Sequence, residues 1–236
     1  MSADPEQPRI TIESDGPYIV SGGVPLTERY IERGATGDAL TWEPIGAARG
    51  DTPAPSATYA LCRCGQSQDK PYCDGAHAQA DFAGTLTADR APGTTRQRVL
   101  SSPEIEMTDD ESLCVHAKFC MTRRSNAWRM VRKTGDPEVQ GRLATIVANC
   151  PSGRLALRTR AGGTPIEPTY RPSIAAIPDG PLWVRGGIPL TAPDGVTYEV
   201  RNRVTLCRCG QSGNKPFCDG SHVAADFRAP GQEPGA

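Results

Sequence analysis

The chain has 236 residues, with 26 basic and 27 acidic side chains and a formal net charge of −1. A nearly neutral protein has no overall charge that favours binding to nucleic acid or to an anionic membrane surface. Glycine and proline number 25 and 22, and aromatic residues make up only 6 % of the chain. Small, turn-rich and mostly β modules are therefore expected, rather than a helical bundle or one large core.

The first twenty residues carry several acidic side chains and no basic segment followed by an apolar one, so no signal peptide is predicted. No apolar run reaches the roughly 18 residues that a membrane span needs. We therefore expect a cytoplasmic protein. In a reducing compartment, clustered cysteines usually bind metal or carry out redox chemistry, and the odd number of nine cysteines also argues against a disulfide framework.

The N-terminal region predicts strands, a loop and a short helical turn. Residues 9–12 and 18–20 are short apolar runs that predict strands, and two glycines after the second run predict a tight turn. Residues 29–58 are rich in Gly, Pro and Ala and predict a surface loop. Asp74 precedes a glycine and is a favourable N-cap residue, so a helical turn is expected to begin there.

The middle region predicts two helices. Residues 108–111 read Thr-Asp-Asp-Glu, a capping-box pattern that predicts a short helix leading into Cys114. Residues 136–137 read Asp-Pro, which supplies an N-cap residue and a first-turn proline. From Val139, apolar residues follow at helical spacing, so we expect an amphipathic helix that ends at Cys150.

The C-terminal region repeats the N-terminal one. Residues 61–82 align with 206–227 without a gap, and residues 15–27 match 179–191 in the same order. Such self-similarity predicts two copies of one structural unit. The matching elements expected in the second copy are strands at 182–184 and 196–200 and a helical turn at Asp219. Three modules are therefore predicted, at residues 1–95, 100–160 and 172–230.

All nine cysteines and all three histidines fall into three sets of four. In both repeats the order is Cys, Cys, Cys, His, with one, eight and three residues between successive members. The repeat sets are Cys62, Cys64, Cys73 and His77, and Cys207, Cys209, Cys218 and His222; the middle set is Cys114, His116, Cys120 and Cys150. Two identical spacings indicate metal or cluster ligands rather than core packing.

Structural zinc is the main alternative, because three thiolates and one imidazole form a common tetrahedral zinc site. Zinc ribbons mostly separate paired cysteines by two to four residues, whereas the first two cysteines of each repeat are separated by one. The spacing therefore favours a rhombic cluster. In the first copy, Cys62 and Cys64 would then bind one iron, and Cys73 and His77 the other.

The strings CRC, Lys-Pro-aromatic and CDGAH or CDGSH in both copies resemble the CDGSH iron-sulfur family. Ala76 stands in the first copy where the family usually has serine. The resemblance implies a 2Fe-2S cluster bound by three cysteines and one histidine in each copy, within a β-rich fold that the family builds as an intertwined dimer. Two copies in one chain are then expected to pack as an intramolecular pseudo-dimer. The long insertion between the copies departs from tandem members of the family.

The middle set lies in a different pattern, CVHAKFC followed by a helix and NCPSG, which resembles a divergent mono-cluster bacterial ferredoxin over residues 101–158. The proline after the last cysteine is typical of such proteins. A regular four-iron site has a cysteine at the position of Ala117. The resemblance therefore implies either a 3Fe-4S cluster on the three thiolates or a 4Fe-4S cluster completed by His116.

Residues 112–135 carry basic side chains and no acidic one. The basic residues are Lys118, Arg123, Arg124, Arg129, Arg132 and Lys133. Such a run is either a solvated face or a docking patch for an acidic redox partner, since charge complementarity raises the encounter rate. The sequence leaves both interpretations open.

The expected fold class is α+β and mostly β, with two small β-rich CDGSH modules that form a pseudo-dimer and flank a ferredoxin-like α+β module. No Ser-His-Asp set and no glycine-rich phosphate-binding fingerprint is present, so no enzyme activity is expected. We expect one-electron transfer to a redox protein partner through two 2Fe-2S clusters and one 3Fe-4S or 4Fe-4S cluster. The alternatives are a cluster donor to an apo iron-sulfur acceptor or a redox or pH sensor, and a structural zinc-binding adaptor.

Overall fold

The computed structural model describes residues 7–45 and 57–231. The fold is α+β and mostly β, as predicted, and it divides into two compact units. The first unit takes its described residues from 7–30, 44–90 and 170–231, and therefore contains both copies of the repeat. The second unit takes its residues from 31–43 and 91–169. Among the described residues, no helix is long and apolar enough to cross a membrane.

The elements are short. The strands are β1 (Arg9–Ile12), β2 (Tyr18–Ser21), β3 (Leu26–Arg33), β4 (Ala39–Pro44), β5 (Thr58–Leu61), β6 (Arg98–Ser101), β7 (Ile105–Asp109), β8 (Leu155–Thr159), β9 (Ser173–Ala176), β10 (Leu182–Arg185), β11 (Leu190–Thr191) and β12 (Arg203–Leu206). The α-helices are α1 (Ala127–Met130), α2 (Pro137–Ala148) and α3 (Ser221–Ala224). Single 3-10 turns occupy Ala76–Ala78, Gly93–Thr95, Glu111–Leu113 and Val131–Lys133.

The two copies exchange strands within the first unit. The first sheet has the order β11-β1-β2-β5, and the second sheet contains β12-β10-β9-β3. Strand β11 of the second copy pairs in parallel with β1 of the first, with Ile10 opposite Leu190. Reciprocally, β3 of the first copy pairs in parallel with β9 of the second, with Leu26 opposite Ile174. This exchange confirms the predicted intertwined pseudo-dimer.

The prediction of a surface loop over residues 29–58 is wrong for its described part. Strand β3 continues to Arg33, and β4 follows after a tight turn in which the Gly34 N–H donates to the Asp38 carbonyl at 3.0 Å. The side chains of β3 are half-buried or exposed on both faces, so its sequence lacks the apolar alternation by which strands are recognised. Residues 46–56 lie outside the described residues.

The predicted strand at residues 196–200 is also absent. Thr197 forms one isolated bridge to Thr191, and the side chains of Val196 and Val200 are exposed. Strand β11 has only two residues, and a turn closed by the Gly195 N–H and the Ala192 carbonyl follows it at once. Because β11 is this short, a longer strand at residues 196–200 would have no backbone groups of β11 to pair with.

The second unit is a three-stranded antiparallel sheet, β6-β7-β8, covered by helices. Helix α2 begins as predicted, with the Asp136 carboxylate accepting the Glu138 N–H at 2.9 Å. Leu143 and Val147 of α2 are fully buried against the sheet. The helix ends at Ala148, two residues before Cys150, so α2 carries this cysteine to the edge of the core.

The predicted capping box at residues 108–111 does not form. Thr108 and Asp109 belong to β7, and the short 3-10 turn Glu111–Leu113 begins after Asp110 without a side-chain cap. The Asp109 carboxylate is instead occupied by buried hydrogen bonds described below, which keep the strand extended. The turn still leads into Cys114, as predicted.

Candidate metal centres

The first two cysteines of each repeat follow directly after a central strand. Cys62 and Cys64 come after β5, with their Sγ atoms 3.8 Å apart, and Cys207 and Cys209 come after β12, with a separation of 3.7 Å. A tetrahedral metal with sulfur ligands at about 2.3 Å separates two of them by about 3.8 Å. Each pair is therefore placed to share one metal atom.

The third cysteine and the histidine of each repeat form a second pair on a helical turn. Cys73 Sγ lies 3.4 Å from His77 Nδ1, and Cys218 Sγ lies 3.4 Å from His222 Nδ1. These distances suit a sulfur and a nitrogen on one tetrahedral metal, whose two bonds are about 2.3 and 2.0–2.1 Å long. The structure thus divides each set of four into two pairs, each with the geometry of a single metal atom.

The described residues include all nine cysteines and all three histidines. Among them, no group of three or more His, Cys, Asp or Glu side chains is close enough to hold a single metal ion. Each pair supplies two of the four ligands that a tetrahedral metal ion takes. A cluster with two metal atoms fits the two pairs.

An aspartate orders the loop and the helical turn that carry the second pair. The Asp74 carboxylate accepts the Gln68 N–H at 2.7 Å and the Ala76 N–H at 3.0 Å, and these hydrogen bonds hold the pKa of this carboxyl below its usual value. Asp219 makes the same two contacts in the second copy. The helical turns begin one residue later than predicted, after Gly75 and Gly220 in left-handed conformation (φ 88° and 91°).

The arginine between the first two cysteines is buried in both copies, which the sequence analysis did not foresee. Arg63 is 2 % exposed and donates hydrogen bonds to the carbonyls of Gly16 (2.8 Å), Gly84 (2.8 Å) and Glu13 (3.0 Å). Arg208 is 3 % exposed and donates to the carbonyls of two residues of its own copy. The signal in the sequence was the repetition of arginine at this position.

Neither arginine forms an ion pair with a carboxylate in the part of the chain that the structure describes. Burial lowers the pKa of Arg208 to about 10, while the charges of Cys62, Glu28, Asp179 and Cys209 act in the opposite direction. A buried cation is costly unless an anion lies close by. Thiolates and inorganic sulfide would add to the negative charge of the two carboxylates, so the donor set and its surroundings fit an anionic iron-sulfur cluster.

The cysteine pair of the second copy shares its protons unevenly. The two thiols lie close enough to share a hydrogen bond, which lowers the pKa of Cys207 and raises that of Cys209. Backbone N–H groups of Gly210 and Ser212 lower the pKa of Cys207 further. Cys207 therefore loses its proton more easily than Cys209, and metal binding must displace the proton that remains on the pair.

The three cysteines of the middle set lie in one neighbourhood of the second unit. Cys114 follows the 3-10 turn Glu111–Leu113, Cys150 follows α2, and all three thiols are half-buried. Burial raises the pKa of Cys120 to about 11, and the charges of Cys150 and Cys114 raise it as well. The three thiols thus lie close enough for their charges to act on one another.

The middle set lacks one cysteine of a regular four-iron site. Ala117 lies between His116 and Lys118, which both have left-handed backbone conformations (φ 57° and 68°) and exposed side chains. Two residues in left-handed conformation therefore flank the position at which a regular four-iron site has cysteine. His116 lies on the surface in this conformation.

A buried carboxylate lies behind Cys114. Asp109 has a fully buried side chain that accepts hydrogen bonds from Arg154 Nε (2.7 Å), Arg98 Nη2 (2.9 Å) and Trp128 Nε1 (2.8 Å). Burial alone would lower the pKa of Arg154, but hydrogen bonds to Asp109 and to the Cys114 thiol outweigh it and raise that pKa. Arg154 therefore links the buried carboxylate to a candidate ligand.

Comparison with known proteins agrees with this description. The family model for the iron-binding zinc finger of CDGSH type matches residues 15–78 and 179–223, and the model for a divergent 4Fe-4S mono-cluster domain matches residues 100–160. No curated protein and no solved structure gives a significant match. The chain is therefore an iron-sulfur protein in which a divergent 4Fe-4S mono-cluster domain lies between two regions of the CDGSH family.

Proposed function

We propose that this protein carries single electrons to a redox protein, through one 2Fe-2S cluster in each copy of the repeat and a 3Fe-4S or 4Fe-4S cluster in the second unit. The observation that carries the proposal is the division of each repeat set into two pairs at single-metal distances, 3.7–3.8 Å for the cysteine pairs and 3.4 Å for the Cys–His pairs. Each pair binds one of the two irons. No substrate-converting reaction is part of the proposal.

The net charge of each cluster determines whether its reduction potential is higher or lower than that of an all-cysteine centre. A 2Fe-2S cluster with two ferric irons, three thiolates and a neutral imidazole has a net charge of −1, and an all-cysteine site has −2. The less negative centre accepts an electron more easily, so its potential lies above the roughly −400 mV of plant-type ferredoxins. The buried guanidinium groups of Arg63 and Arg208 act in the same direction, because they stabilise the more negative, reduced state.

The basic run of the second unit supports docking of an acidic partner. All six of its basic side chains are exposed, and within the described residues none of them pairs with a carboxylate. Its members are Lys118, Arg123, Arg124, Arg129, Arg132 and Lys133. Exposed charges of one sign raise the encounter rate with a partner of opposite charge and do so less at high salt.

Iron and acid-labile sulfide counts test the cluster assignment. Purified under exclusion of oxygen, the chain is expected to be coloured and to hold 7 or 8 irons, as the sum of two 2Fe-2S centres and one centre of three or four irons. About four irons would show that the middle set is empty. A colourless preparation that contains zinc alone would contradict the proposal.

The nuclearity of the middle cluster is tested at Ala117. Changing Ala117→Cys supplies the thiolate of a regular four-iron site, so a wild-type 3Fe-4S centre should become 4Fe-4S and the iron count should rise by one. An unchanged count of 8 would show that the wild-type chain already holds four irons there. His116→Ala then decides whether this imidazole is a ligand, since its loss would lower the count.

Cluster donation is the second candidate function, favoured by the half-buried position of Cys73 in the first copy. Mixing the loaded chain with an apo-ferredoxin separates the two functions. A carrier reduces or oxidises a partner and keeps its iron, whereas a donor loses iron to the acceptor. Retention of all iron would exclude donation.

A further inference from the structure

The two CDGSH centres have the same ligands but unequal cover. Cys218 is 2 % exposed and the following turn glycine, Gly220, is buried, whereas the counterparts Cys73 and Gly75 are half-buried and exposed. A hollow of about 400 Å³ is lined by Asp74 and Ala76, next to the first Cys–His pair, and another of about 440 Å³ is lined by Gly65 and Cys209, next to the cysteine pairs. The two centres therefore differ in how deeply the chain around the Cys–His pair is buried.

The segment that follows the first copy covers the second centre. We call residues 84–90 the strap. The N–H groups of Thr87 and Ala88 donate to the Lys215 carbonyl at 2.8 and 2.9 Å, and the Thr87 hydroxyl donates to the Gly213 carbonyl at 2.8 Å. These carbonyls belong to the loop that leads directly to Cys218. The strap thus holds the loop from outside its own copy.

The end of the strap is anchored on the same side. Arg90 forms an ion pair with Asp194 at 2.5 Å, and its guanidinium lies 5.5 Å from the centre of the Tyr198 ring. Tyr198 is buried and packs edge-on against Phe217, with ring centres 5.2 Å apart. Phe217 precedes Cys218, so the contacts that run from Arg90 through Tyr198 end at the residue next to a candidate ligand.

A tyrosine of the first copy adds a third contact. The buried Tyr18 hydroxyl lies 2.8 Å from the Cys207 carbonyl and 3.1 Å from the Pro216 carbonyl, and it donates to them. The matching residue of the second copy is Leu182, which has no hydroxyl to donate to Cys62. At this position, therefore, a side chain of the first copy donates hydrogen bonds to the second copy, and the matching side chain of the second copy cannot do the same.

The corresponding loop of the first copy is held only from within its own copy. The Gln68 N–H donates to Asp74, and the Lys70 ammonium donates to the Ser67 carbonyl. Across the described ranges, no segment of the second copy makes a hydrogen bond to residues 68–70. Opening this loop breaks fewer contacts than opening its counterpart.

We propose that the first CDGSH centre is the exchangeable one and that the strap and Tyr18 keep the second centre in place. The inference rests on the proposed cluster binding and adds a difference between the two sites. Release is a ligand exchange without net oxidation or reduction. Iron passes to a chelator, the three thiolates each take up one proton from solvent, the neutral imidazole is released unchanged, and each sulfide takes up two protons and leaves as hydrogen sulfide.

Site-resolved alkylation tests the order of release in the wild-type chain. The loaded protein is mixed with an iron chelator and iodoacetamide, and peptide mass spectrometry follows which cysteines acquire the carbamidomethyl group as iodide leaves. The hydrogen bonds that hold the second loop must break before this loop opens, so release there should be slower. We expect Cys62, Cys64 and Cys73 to be freed about tenfold faster than Cys207, Cys209 and Cys218.

The iron-free chain is the control, because it gives the intrinsic reactivity of each thiol under the same conditions. Equal rates of release at the two centres after this correction, or faster release at the second, would overturn the inference. Failure of the proposed function gives a different result: cysteines of the purified chain would react at the iron-free rate before any chelator is added.

A variant of the strap tests whether the contacts of the strap cause the slower release at the second centre. Thr87→Val with Arg90→Gln removes the side-chain hydrogen bond to Gly213 and the ion pair with Asp194, and both positions are on the surface. Release at the second centre should become threefold to tenfold faster, with the first centre unchanged. Arg201→Gln, which removes an ion pair with Glu199 in the same copy, should change neither rate. An unchanged second rate in the strap variant would refute the role of the strap.

Discussion

Asp109 shows how a single buried carboxylate contributes to the second unit. Burial raises its pKa, but hydrogen bonds from Arg154, Arg98 and Trp128 outweigh burial and hold the pKa below its usual value. A carboxyl with a lowered pKa in the folded state contributes stability above its unfolded pKa of about 3.9 and loses it as pH falls through the folded pKa. The contribution of Asp109 is thus fully present at neutral pH.

The change Asp109→Asn leaves Arg154 without its buried partner. We expect the free energy of unfolding at pH 7 to fall by about 3–5 kcal/mol. The difference from wild type should shrink as the pH falls below about 4, because Asp109 is then protonated in the unfolded chain before it is protonated in the folded one. Urea unfolding followed by tryptophan fluorescence at several pH values measures both effects. Asp136→Asn keeps a good N-cap residue and should change stability by less than about 0.5 kcal/mol; a difference at Asp109 that is independent of pH would contradict the assignment.

The assignment of His77 and His222 as candidate ligands predicts that the clusters are sensitive to acid. An imidazole nitrogen that takes up a proton can no longer bind iron, and imidazole does so between about pH 5 and 8. His77→Cys and His222→Cys should each slow the loss of visible absorbance below about pH 6, because the new ligand is a thiolate. Unchanged decay rates in both variants would show that the imidazoles are not ligands.

The candidate ligands were predictable because repetition and spacing are visible in the sequence. The buried arginines were not. Arg63 is satisfied by carbonyls of Glu13, Gly16 and Gly84, which are distant in the chain, and a buried arginine has no local pattern of its own. The same holds for Arg154, which meets Asp109 only across the sheet.

At the level of elements, the structure follows the sequence where local signals agree. Helix α2 has an N-cap aspartate, a first-turn proline and an apolar face, and all three features are present in the fold. The sequence analysis missed strand β3 and wrongly predicted a strand at residues 196–200, because strand formation depends on which partner is available. Strand β3 lies between β9 of the other copy, where Leu26 is opposite Ile174, and β4, and the sequence of β3 does not show that either partner is available.

Helix α2 offers a test of the core of the second unit. Leu143 is fully buried among the apolar residues of the sheet and of α1, so Leu143→Ala should lower the free energy of unfolding by about 2–5 kcal/mol. The neighbouring Arg142 is exposed, and Arg142→Ala should change it by less than about 0.5 kcal/mol. Chemical denaturation of the full chain measures both. Equal effects would mean that α2 does not pack on the sheet through this face.

For the whole first unit, the close approach of the two copies depends on a pair of glycines beside the cysteine pairs. A Cβ atom on Gly65 would lie 2.7 Å from the Cys209 carbonyl oxygen, and one on Gly210 would lie 2.5 Å from the Cys64 carbonyl oxygen. Each copy thus contacts the backbone of the other at a candidate ligand. Because of this reciprocity and the exchanged strands, the two centres belong to one folded unit, although their cover differs.

Gly210→Ala tests this dependence of both centres on one contact. Gly210 has a left-handed backbone (φ 78°), so alanine adds about 1–2 kcal/mol of backbone strain, and its clash with the Cys64 carbonyl adds about 1–3 kcal/mol more. The control is Gly195→Ala, which has a similar φ of 83° but no atom within 4 Å of the added Cβ, and should show only the strain. Because the clash displaces residues at both cysteine pairs, iron retained under a fixed chelator challenge should fall at both centres in Gly210→Ala. Loss confined to the second centre would mean that the copies hold their clusters independently.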